Sequence, residues 1–413
     1  MSISSYMEKL LDGVEVEWKP LYQLVVDKFW IMPATPKFNE AESVPYITSK
    51  NIKGGHINFD KTKFISREDY IELCRNRPIL VGDFLISMIG TIGEVAVVKE
   101  SDLEFYGQNM YLVRLDGAVI ISRYFWHFFD SPRMKRHFQA VKNNSGQGYL
   151  KANNIDSLEI PIPCPDNPEK SLAIQAEIVR ILDAFTAMTA ELTAELNMRK
   201  KQYNYYRDKL LSFEEGEVEW KTLEEVAHFS NGKGHEKDIS EDGKFIVVNS
   251  KFISTDGLVA KYSDSQICPL FKDDILLVMS DLPNGKALSK TFIVDEDERY
   301  TLNQRIGGIT VKDKSEILPK FLHYYLDRTP QLLKHDNGVD QTNLRKGQIL
   351  EVKVPILPLQ KQEHIVSILD KFDKLTKSVS EGLPREIELR QKQYGYYRDL
   401  LLSFPKSHSD EAA

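Results

Sequence analysis

The chain contains LNMRKKQYNYYRDKLLSF at residues 196–213 and IELRQKQYGYYRDLLLSF at residues 387–404. Twelve of the eighteen positions are identical, and the two segments align without a gap. The similarity continues upstream of each copy, because IVRILDAFTAMT at residues 178–189 resembles IVSILDKFDKLT at residues 365–376. A repeat of this length indicates that one structural unit occurs twice in the chain.

Further repeated segments place the two units in a cyclic order. EVEWKPL at residues 15–21 reappears as EVEWKTL at residues 217–223, and YMEKLL at residues 6–11 resembles YRDKLL at residues 206–211. The end of the second repeat therefore resembles the beginning of the chain. This pattern predicts a pseudo-twofold molecule whose two termini lie close to each other.

Two inserts between these constant segments have diverged from each other. Residues 22–157 and 224–349 share only short anchors, such as GDFLISM beside DDILLVM. Just after each insert, LEIPIP (158–163) aligns with LEVKVP (350–355). Drift after a duplication would erode constant and divergent parts alike, which is not the pattern seen. A constant frame that carries two different inserts is the pattern expected of a protein that reads two different targets.

The constant frame is predicted to be largely helical. Residues 172–213 contain no Pro or Gly, and apolar side chains recur there at alternating steps of three and four. This spacing predicts a helix about 60 Å long with a coiled-coil seam. A four-residue stutter interrupts the seam at the tandem TAEL-TAEL, residues 189–196. The second copy carries the same seam as far as Gly382 and Pro384, where we expect a break or kink.

Each insert is predicted to be a mixed α/β domain. Short β-rich runs such as FLISMIG, MYLVRL and ILLVMS lie between Gly, Asn, Asp and Pro signals. One helix-like stretch occurs in each insert, at residues 121–138 and 317–334. His127 and His323 occupy corresponding positions within these aromatic stretches, and we interpret both as packed structural histidines.

The composition is that of a folded, cytoplasmic chain. Its 413 residues exceed the size of one ordinary domain, so two cores are expected. No apolar run of 18 residues occurs, and the N-terminus shows no secretory signal. The three widely spaced cysteines, Cys74, Cys164 and Cys268, fit a reducing compartment and offer no zinc-binding spacing. The net charge of -7 means that nucleic-acid binding would depend on local basic patches or on partner subunits.

The sequence lacks the motifs of enzymes that use nucleotides or methyl donors. It has no GxxxxGK[ST] phosphate loop, no glycine-rich fingerprint that opens a helix, and no Asn-Pro-Pro-aromatic motif of amino-methyltransferases. Residues 165–170 superficially resemble a metal-dependent nuclease signature, but their acidic residues lie too close together in a Pro-rich connector. We therefore predict that this chain is not an enzyme and holds no cofactor or metal.

Two polar stretches at corresponding places in the inserts are candidates for DNA binding. Residues 131–155 contain no acidic residue, whereas the second stretch holds Asp336 and Asp340. Arg and Lys contact phosphates and guanine, Asn and Gln pair with adenine, and glycines permit close approach to a duplex. The candidate DNA-binding residues are Arg133, Lys135, Arg136, Lys142, Asn144, Gln147, Tyr149, Lys151, Gln341, Asn343, Arg345 and Lys346.

A further pair of polar motifs also recurs in the two inserts. Gln108-Asn109 and Asn303-Gln304-Arg305 lie beside predicted strands. They are additional candidates for contact with a nucleic acid.

The frame motifs resemble those of a known family. YRDKLLSF followed by EVEWKTL, the IVRILD helix after a Pro-rich connector, and the TAEL tandem closely resemble the specificity subunits of type I restriction–modification enzymes. The resemblance is strongest to the group with tandem TAEL repeats, covers nearly the whole chain, and is specific in the frames but weak in the inserts. It implies an α+β fold in which two mixed α/β target recognition domains are separated by two long antiparallel coiled-coil helices acting as a spacer.

The same resemblance implies a function in a larger complex. Each recognition domain would read half of a bipartite site in double-stranded DNA. The chain would assemble with two methyltransferase subunits and with ATP-driven restriction subunits. S-adenosylmethionine, ATP and Mg would then be bound by those partners, which methylate adenine and cut the DNA.

The domain boundaries that follow from repeats and resemblance are expectations. They are an N-terminal frame segment (1–13), a first recognition domain (14–163), a connector with the central spacer helix (164–213), a second recognition domain (214–357), a distal spacer helix (358–404) and a tail (405–413). Two alternatives stay open. One is a stand-alone DNA-modifying enzyme, such as a fused methyltransferase–nuclease, which the missing motifs disfavour. The other is a duplicated protein-interaction scaffold that never contacts DNA.

Overall fold

The computed structural model of the protein describes residues 13–143, 148–214, 216–235, 238–283, 285–378 and 381–404. The chain divides into two compact units. The first unit consists of Met1–Ala190 together with Leu389–Ala413, and the second consists of Glu191–Glu388. The C-terminal repeat therefore belongs to the same unit as the N-terminal insert, as the cyclic order of the repeats predicts.

The first unit is built on two small sheets, a ribbon and the short antiparallel β4–β5 pair. Its strands are β1 (Val16–Pro20), β2 (Val25–Ile31), β3 (Val44–Ile47), β4 (Ile52–Lys53), β5 (His56–Ile57), β6 (Lys63–Ile65), β7 (Phe84–Ser87), β8 (Val95–Val97), β9 (Tyr106–Gly107), β10 (Met110–Leu115) and β11 (Glu159–Pro163). The larger sheet has the order β2-β10-β7-β8 and is antiparallel throughout. The smaller sheet has the order β6-β3-β9, with β3 and β9 parallel. The ribbon pairs β1 with β11 and so joins the two ends of the insert.

The second unit repeats this topology. Its strands are β12 (Glu219–Thr222), β13 (Ala227–Asn231), β14 (Phe245–Val248), β15 (Lys261–Ser263), β16 (Ile275–Val278), β17 (Ser280–Asp281), β18 (Thr291–Ile293), β19 (Tyr300–Leu302), β20 (Ile306–Val311), β21 (Thr342–Asn343) and β22 (Lys353–Ile356). The larger sheet is β13-β20-β16-β18, the smaller is β15-β14-β19, and the ribbon pairs β12 with β22. The prediction of two equivalent mixed α/β domains is confirmed.

Short helices flank the sheets, and longer ones form the frame. The helices are α1 (Arg67–Cys74), α2 (Ser122–Phe129), α3 (Pro132–Val141), α4 (Ala152–Asp156), α5 (Pro168–Leu210), α6 (Leu223–Val226), α7 (Ser250–Ser254), α8 (Pro319–Leu326), α9 (Pro330–Leu333), α10 (Lys346–Leu350), α11 (Leu359–Thr376) and α12 (Gly382–Leu401). The aromatic stretches predicted to be helical correspond to α2 with α3 and to α8 with α9.

The long helix α5 is the predicted central frame helix. It runs for 43 residues, which corresponds to about 65 Å. It starts earlier than predicted because Pro168 is tolerated in a first turn and the side chain of Asn167 accepts a hydrogen bond from the Lys170 N–H at 3.0 Å. The boundary between the two compact units falls between Ala190 and Glu191, inside the TAEL tandem.

The predicted break in the second frame helix is confirmed at Gly382. Helix α11 ends at Thr376, and α12 begins at Gly382 with a φ of +82°. A Cβ atom at this position would lie 2.3 Å from the carbonyl oxygen of Lys374. Both the positive φ and the close approach require glycine, so the repeat differs here from the uninterrupted α5.

Each unit is completed by one segment from each copy of the frame. In the first unit, Leu182 of α5 is buried with Leu401 and Phe404 of the C-terminal repeat. In the second unit, Tyr203 of α5 is buried with Leu369 of α11. Because apolar burial is the main favourable contribution to folding, the repeated segments are conserved parts of two equivalent cores rather than linkers.

The ribbons show that one alignment of the repeats is wrong by two residues. The Leu21 N–H donates to the carbonyl oxygen of Leu158 at 2.8 Å, and the Leu223 N–H donates to that of Val352 at 2.8 Å. Leu158 therefore corresponds to Val352 and not to Leu350. Equal spacing in the sequence suggested the wrong partner because strand register, not loop length, fixes the equivalence.

Of the two histidines predicted to be structural, His127 is buried and His323 is half-buried, each within its own unit. The His127 ring lies 2.9 Å from both the Asp183 carboxylate (through Nε2) and the Tyr394 hydroxyl (through Nδ1). Because a carboxylate only accepts, Nε2 carries the proton of the neutral ring and Nδ1 accepts from Tyr394. Burial, reinforced by Arg123, lowers the pKa of His127 to about 4, although Asp183 opposes the shift. Burial likewise lowers the pKa of His323.

Acidification is expected to destabilise the first unit through His127. Unfolded His127 binds a proton below about pH 6.5, whereas the folded ring stays neutral until about pH 4. Stability is therefore present above pH 6.5 and is lost as the pH falls through this window. Urea unfolding between pH 4.5 and 7.5 should show a weaker pH dependence for His127→Gln than for the native chain. His137→Gln, at an exposed histidine of α3, is the control; equal pH slopes for the native chain and His127→Gln would contradict the prediction.

Candidate DNA interface

Three segments meet at one end of the larger sheet in each unit. In the first unit, the carbonyl oxygen of Met88, just after β7, accepts from the Leu150 N–H at 2.9 Å. The Met88 N–H points to the carbonyl oxygen of Asn109 at 3.5 Å. The polar loop before α4 therefore lies beside the turn before β10.

The second unit has the same junction at Met279, just after β16. Its carbonyl oxygen accepts from the Leu344 N–H at 2.8 Å, and its N–H donates to the carbonyl oxygen of Arg305 at 3.1 Å. Both polar motifs of the sequence thus lie at one edge of each unit. The segments that contain Leu150 and Leu344, residues 143–151 and 336–345, are called the reading loops.

The first reading loop is held by Tyr149. Asn143 and Tyr149 exchange backbone hydrogen bonds of 2.9 and 3.2 Å, and the Asn143 amide donates to the Tyr149 hydroxyl at 3.2 Å. Gly148 has a φ of +70°, which glycine adopts at little cost. The predicted candidates Asn144 and Gln147 lie outside the described residues.

The end of this loop presents a cation. Lys151 is exposed, and its backbone N–H donates to the side chain of Asn154 at 2.8 Å, which fixes the start of α4. The side chain of Asn154 is therefore used for capping.

The second reading loop is anchored to β17. Gln341 donates a side-chain hydrogen bond to the Ser280 hydroxyl at 2.8 Å, and Asn343 pairs with Ser280 in the short β17–β21 ladder. The Arg345 N–H donates to the Gln348 side chain at 2.8 Å, as the Lys151 N–H does to Asn154 in the first unit. Lys346 lies with its Nζ 5.9 Å from the centre of the Phe229 ring. Gln341, Asn343, Arg345 and Lys346 are all exposed.

The junctions define which residues correspond between the reading loops. Because Leu150 matches Leu344, Tyr149 corresponds to Asn343 and Lys151 to Arg345. At each of these two fold positions, the two units therefore carry different side chains.

The basic candidates on α3 lie against other groups of the first unit. Arg133 and Arg136 line a cavity of about 190 Å³ together with Asp399 of the C-terminal repeat. Lys135 forms an ion pair with Asp130 at 2.7 Å. At the other end of α3, next to the loop, Lys142 donates to the side chain of Gln139 at 2.7 Å.

Sequence reasoning gave little weight to the turns before β10 and β20. Asn109 and Arg305 both have a left-handed backbone, with φ of +65° and +68°. A cavity of about 580 Å³ next to the first of these turns is lined by Lys50, Asn51 and Gln108, among others. The signal in the sequence was the position of both motifs directly before the central strand.

Two kinds of site are not found in the described part of the chain. The described His, Cys, Asp and Glu side chains form no group of three or more suited to holding a metal ion. The described helices include none with the length and apolarity needed to cross a membrane.

Two equivalent units that present different polar side chains from the same fold position define a duplicated recognition protein. Comparison with known proteins gives the family. The model of the type I restriction modification DNA specificity domain matches twice, at residues 28–199 and 215–389. The chain belongs to this family of type I restriction–modification specificity proteins, and the resemblance of the frame motifs is confirmed.

Relatives of the same length support this assignment. The specificity subunit of the type I restriction enzyme EcoR124I/EcoR124II from Escherichia coli is 36% identical over 431 residues, covering 98% of both chains. A putative type I restriction enzyme specificity subunit from Haemophilus influenzae is 30% identical over 419 residues, covering 97% of this chain and 98% of the relative. The nearer similarity to members with tandem TAEL repeats stays a prediction.

Solved structures share the fold. The S subunit of a type I restriction-modification system from M. genitalium has a TM-score of 0.52 at 17% identity, covering 96% of this chain and 98% of that one. A chain from a structure of a type I R-M system has a TM-score of 0.56 at 13% identity, covering 94% and 97%. The predicted architecture of two mixed units with a long frame helix is confirmed.

Proposed function

We propose that the chain is the sequence-reading subunit of a type I restriction–modification complex. Each unit reads one half of a bipartite site in double-stranded DNA and so directs methylation and restriction by partner subunits. The observation that carries this proposal is that Tyr149 and Asn343 occupy equivalent fold positions in the two units, as do Lys151 and Arg345. Two readers of different half-sites need a shared scaffold and different side chains at the same place.

The catalytic work is assigned to partner subunits. Two equivalent frames support the binding of two copies of one partner, which we propose to be methyltransferase subunits, joined by restriction subunits for cleavage. S-adenosylmethionine, ATP and Mg are expected on those partners in the cytoplasm. The chain itself is proposed to be non-catalytic, in keeping with the missing nucleotide and methyl-donor motifs.

Phosphate contact is proposed for the basic candidates. Lys142 and Lys151 flank the first reading loop, and Arg345 and Lys346 end the second. Because the net charge is -7, these local cations and the partner subunits together have to attract the DNA backbone. Arg133, Lys135 and Arg136 are proposed as additional phosphate contacts from α3.

We propose that the functional boundaries follow the ribbons. The first ribbon pairs residues 16–20 with 159–163 and the second pairs 219–222 with 353–356, which supports recognition domains of 14–163 and 214–357. The compact units are larger because each also takes in parts of the frame helices.

Methylation mapping tests the proposal. Cells that carry the chain with its methyltransferase partner should methylate one bipartite motif, and cells that lack the chain should not. The purified chain alone should transfer no methyl groups to DNA, whereas the complex should. Methyl transfer by the chain alone would support a stand-alone enzyme, and a complex without any sequence-dependent DNA binding would support a protein scaffold; either result overturns the proposal.

A further inference from the structure

The turns before β10 and β20 hold non-glycine residues in a left-handed conformation. Asn109 has a φ of +65° and Arg305 a φ of +68°. Asn tolerates this region because its short side chain bonds locally, but Arg has no such advantage. The backbone conformation alone therefore does not explain an arginine at this position.

The backbones of both residues are fixed, whereas their side chains are not. The Asn109 N–H donates to the carbonyl oxygen of Ile31 at 2.9 Å, and the carbonyl oxygens of Asn109 and Arg305 face Met88 and Met279. Within the part of the chain that the structure describes, neither side chain has a hydrogen bond or ion pair. Arg305 is exposed and Asn109 is half-buried. A polar side chain without a partner on a rigid backbone is suited to an external ligand.

The two side chains share an edge with the reading loops. Met88 is hydrogen-bonded to Leu150 of the first loop as well as facing Asn109, and Met279 links Leu344 and Arg305 in the same way. A duplex that contacts one element at this edge is therefore within reach of the other.

The surroundings of Asn109 suit a nucleic acid. The cavity of about 580 Å³ beside it is lined by Lys50 and Lys61, which are exposed, and by the amide of Gln108. The Asn51 amide also lines it but is hydrogen-bonded to Thr48 and Asn58. Cations suit phosphate, and amides suit base edges. None of the described side chains that line this cavity is acidic.

We propose that Asn109 and Arg305 are base-reading residues at corresponding positions of the two half-sites. Asn pairs bidentately with adenine, and Arg pairs bidentately with guanine, in the major groove. The first half-site then contains an adenine where the second contains a guanine. This inference rests on the proposed function and adds a second reading element, next to the loop, in each unit.

Reciprocal substitutions test the inference. Arg305 shows that this left-handed position accepts arginine, so Asn109→Arg preserves the turn. The complex with its methyltransferase partner is used to select sites from DNA in which both half-sites are randomised. Asn109→Arg should shift one position of one half-site from adenine towards guanine, by about 5- to 150-fold. Arg305→Asn should produce the opposite shift in the other half-site.

Two further variants keep the test decisive. Asn109→Asp keeps the shape and the left-handed preference but removes the amide donor, so it should lose the preference for adenine. Arg299→Asn is the matched control. Arg299 lies before β19, whereas Arg305 lies after it, and the Arg299 guanidinium forms an ion pair with Glu296 at 2.8 Å. The control should leave both half-sites unchanged.

The outcomes separate this inference from the proposed function. If the native complex selects a bipartite motif and all variants select the same motif, the function stands and the inference is overturned. A uniform loss of affinity without a change in base preference also overturns it, because that would be a phosphate contact or a structural role. A native complex that selects no motif would instead overturn the proposed function.

Discussion

A third TAEL unit inserted after Leu196 is expected to lengthen the gap between the two half-sites by one or two base pairs, while both half-site sequences stay the same. The tandem lies inside the unbroken α5, and the division between the two units falls within it. Four residues add roughly 6 Å of helix, and duplex DNA rises about 3.4 Å per base pair. The units themselves are unchanged, so the bases that each unit is proposed to read should stay the same.

The rotation that accompanies the insertion decides whether the helix seam survives. Four residues exceed one helical turn by roughly 40°, whereas two residues turn the seam by about 200°. A two-residue insertion at the same place should therefore abolish methylation altogether. Methylome sequencing distinguishes the results: a native gap in the TAEL variant, or changed half-sites, would refute the role of the helix as a ruler.

Substitution of one reading loop is expected to alter one half-site and to leave the other unchanged. Arg345→Ala should reduce base discrimination at its position by about 5- to 150-fold, since a lost bidentate contact is worth about 1–3 kcal/mol. Arg345 uses its backbone N–H, not its guanidinium, to cap α10, so alanine leaves the cap in place. Combining it with Gln341→Ala and Asn343→Ala should abolish recognition of that half-site.

The corresponding triple substitution in the first unit completes the test. Alanine at Gln147, Tyr149 and Lys151 should affect only the other half-site. Lys272→Ala is the control, because this exposed lysine precedes β16, whereas the reading loop joins its far end at Met279. Site selection with each complex gives the result. Loss of both half-sites in either triple variant would show that the units do not read independently.

The sequence predicted the architecture because the repeats carry helical and strand periodicities that local chemistry determines. The uninterrupted run of α5, the break at Gly382 and the burial of His127 follow from residue type and spacing alone. The pairing of Leu158 with Val352 did not follow, since it depends on strand register across the ribbon.

The candidate site was predicted only in part. The sequence indicated that two polar stretches correspond, because their composition recurs next to the frame, and their contact with DNA stays a prediction. The cavity that Arg133 shares with Asp399 was not predicted, because it depends on which face of α3 packs towards the C-terminal repeat. The left-handed turns at Asn109 and Arg305 were also undervalued, since the sign of φ at a non-glycine residue is set by tertiary contacts.

The order in which the two units can fold during synthesis depends on the position in the sequence of the last residues of the first unit. Leu401 and Phe404 complete a core whose sheets come from the N-terminal insert. The second unit is contiguous in sequence and is fully translated first. On the ribosome, the core of the N-terminal insert is therefore expected to stay incomplete until residue 404 has been translated, while the second unit can fold ahead of it. Chains that terminate early would expose that core, which makes incomplete products substrates for chaperones and proteases.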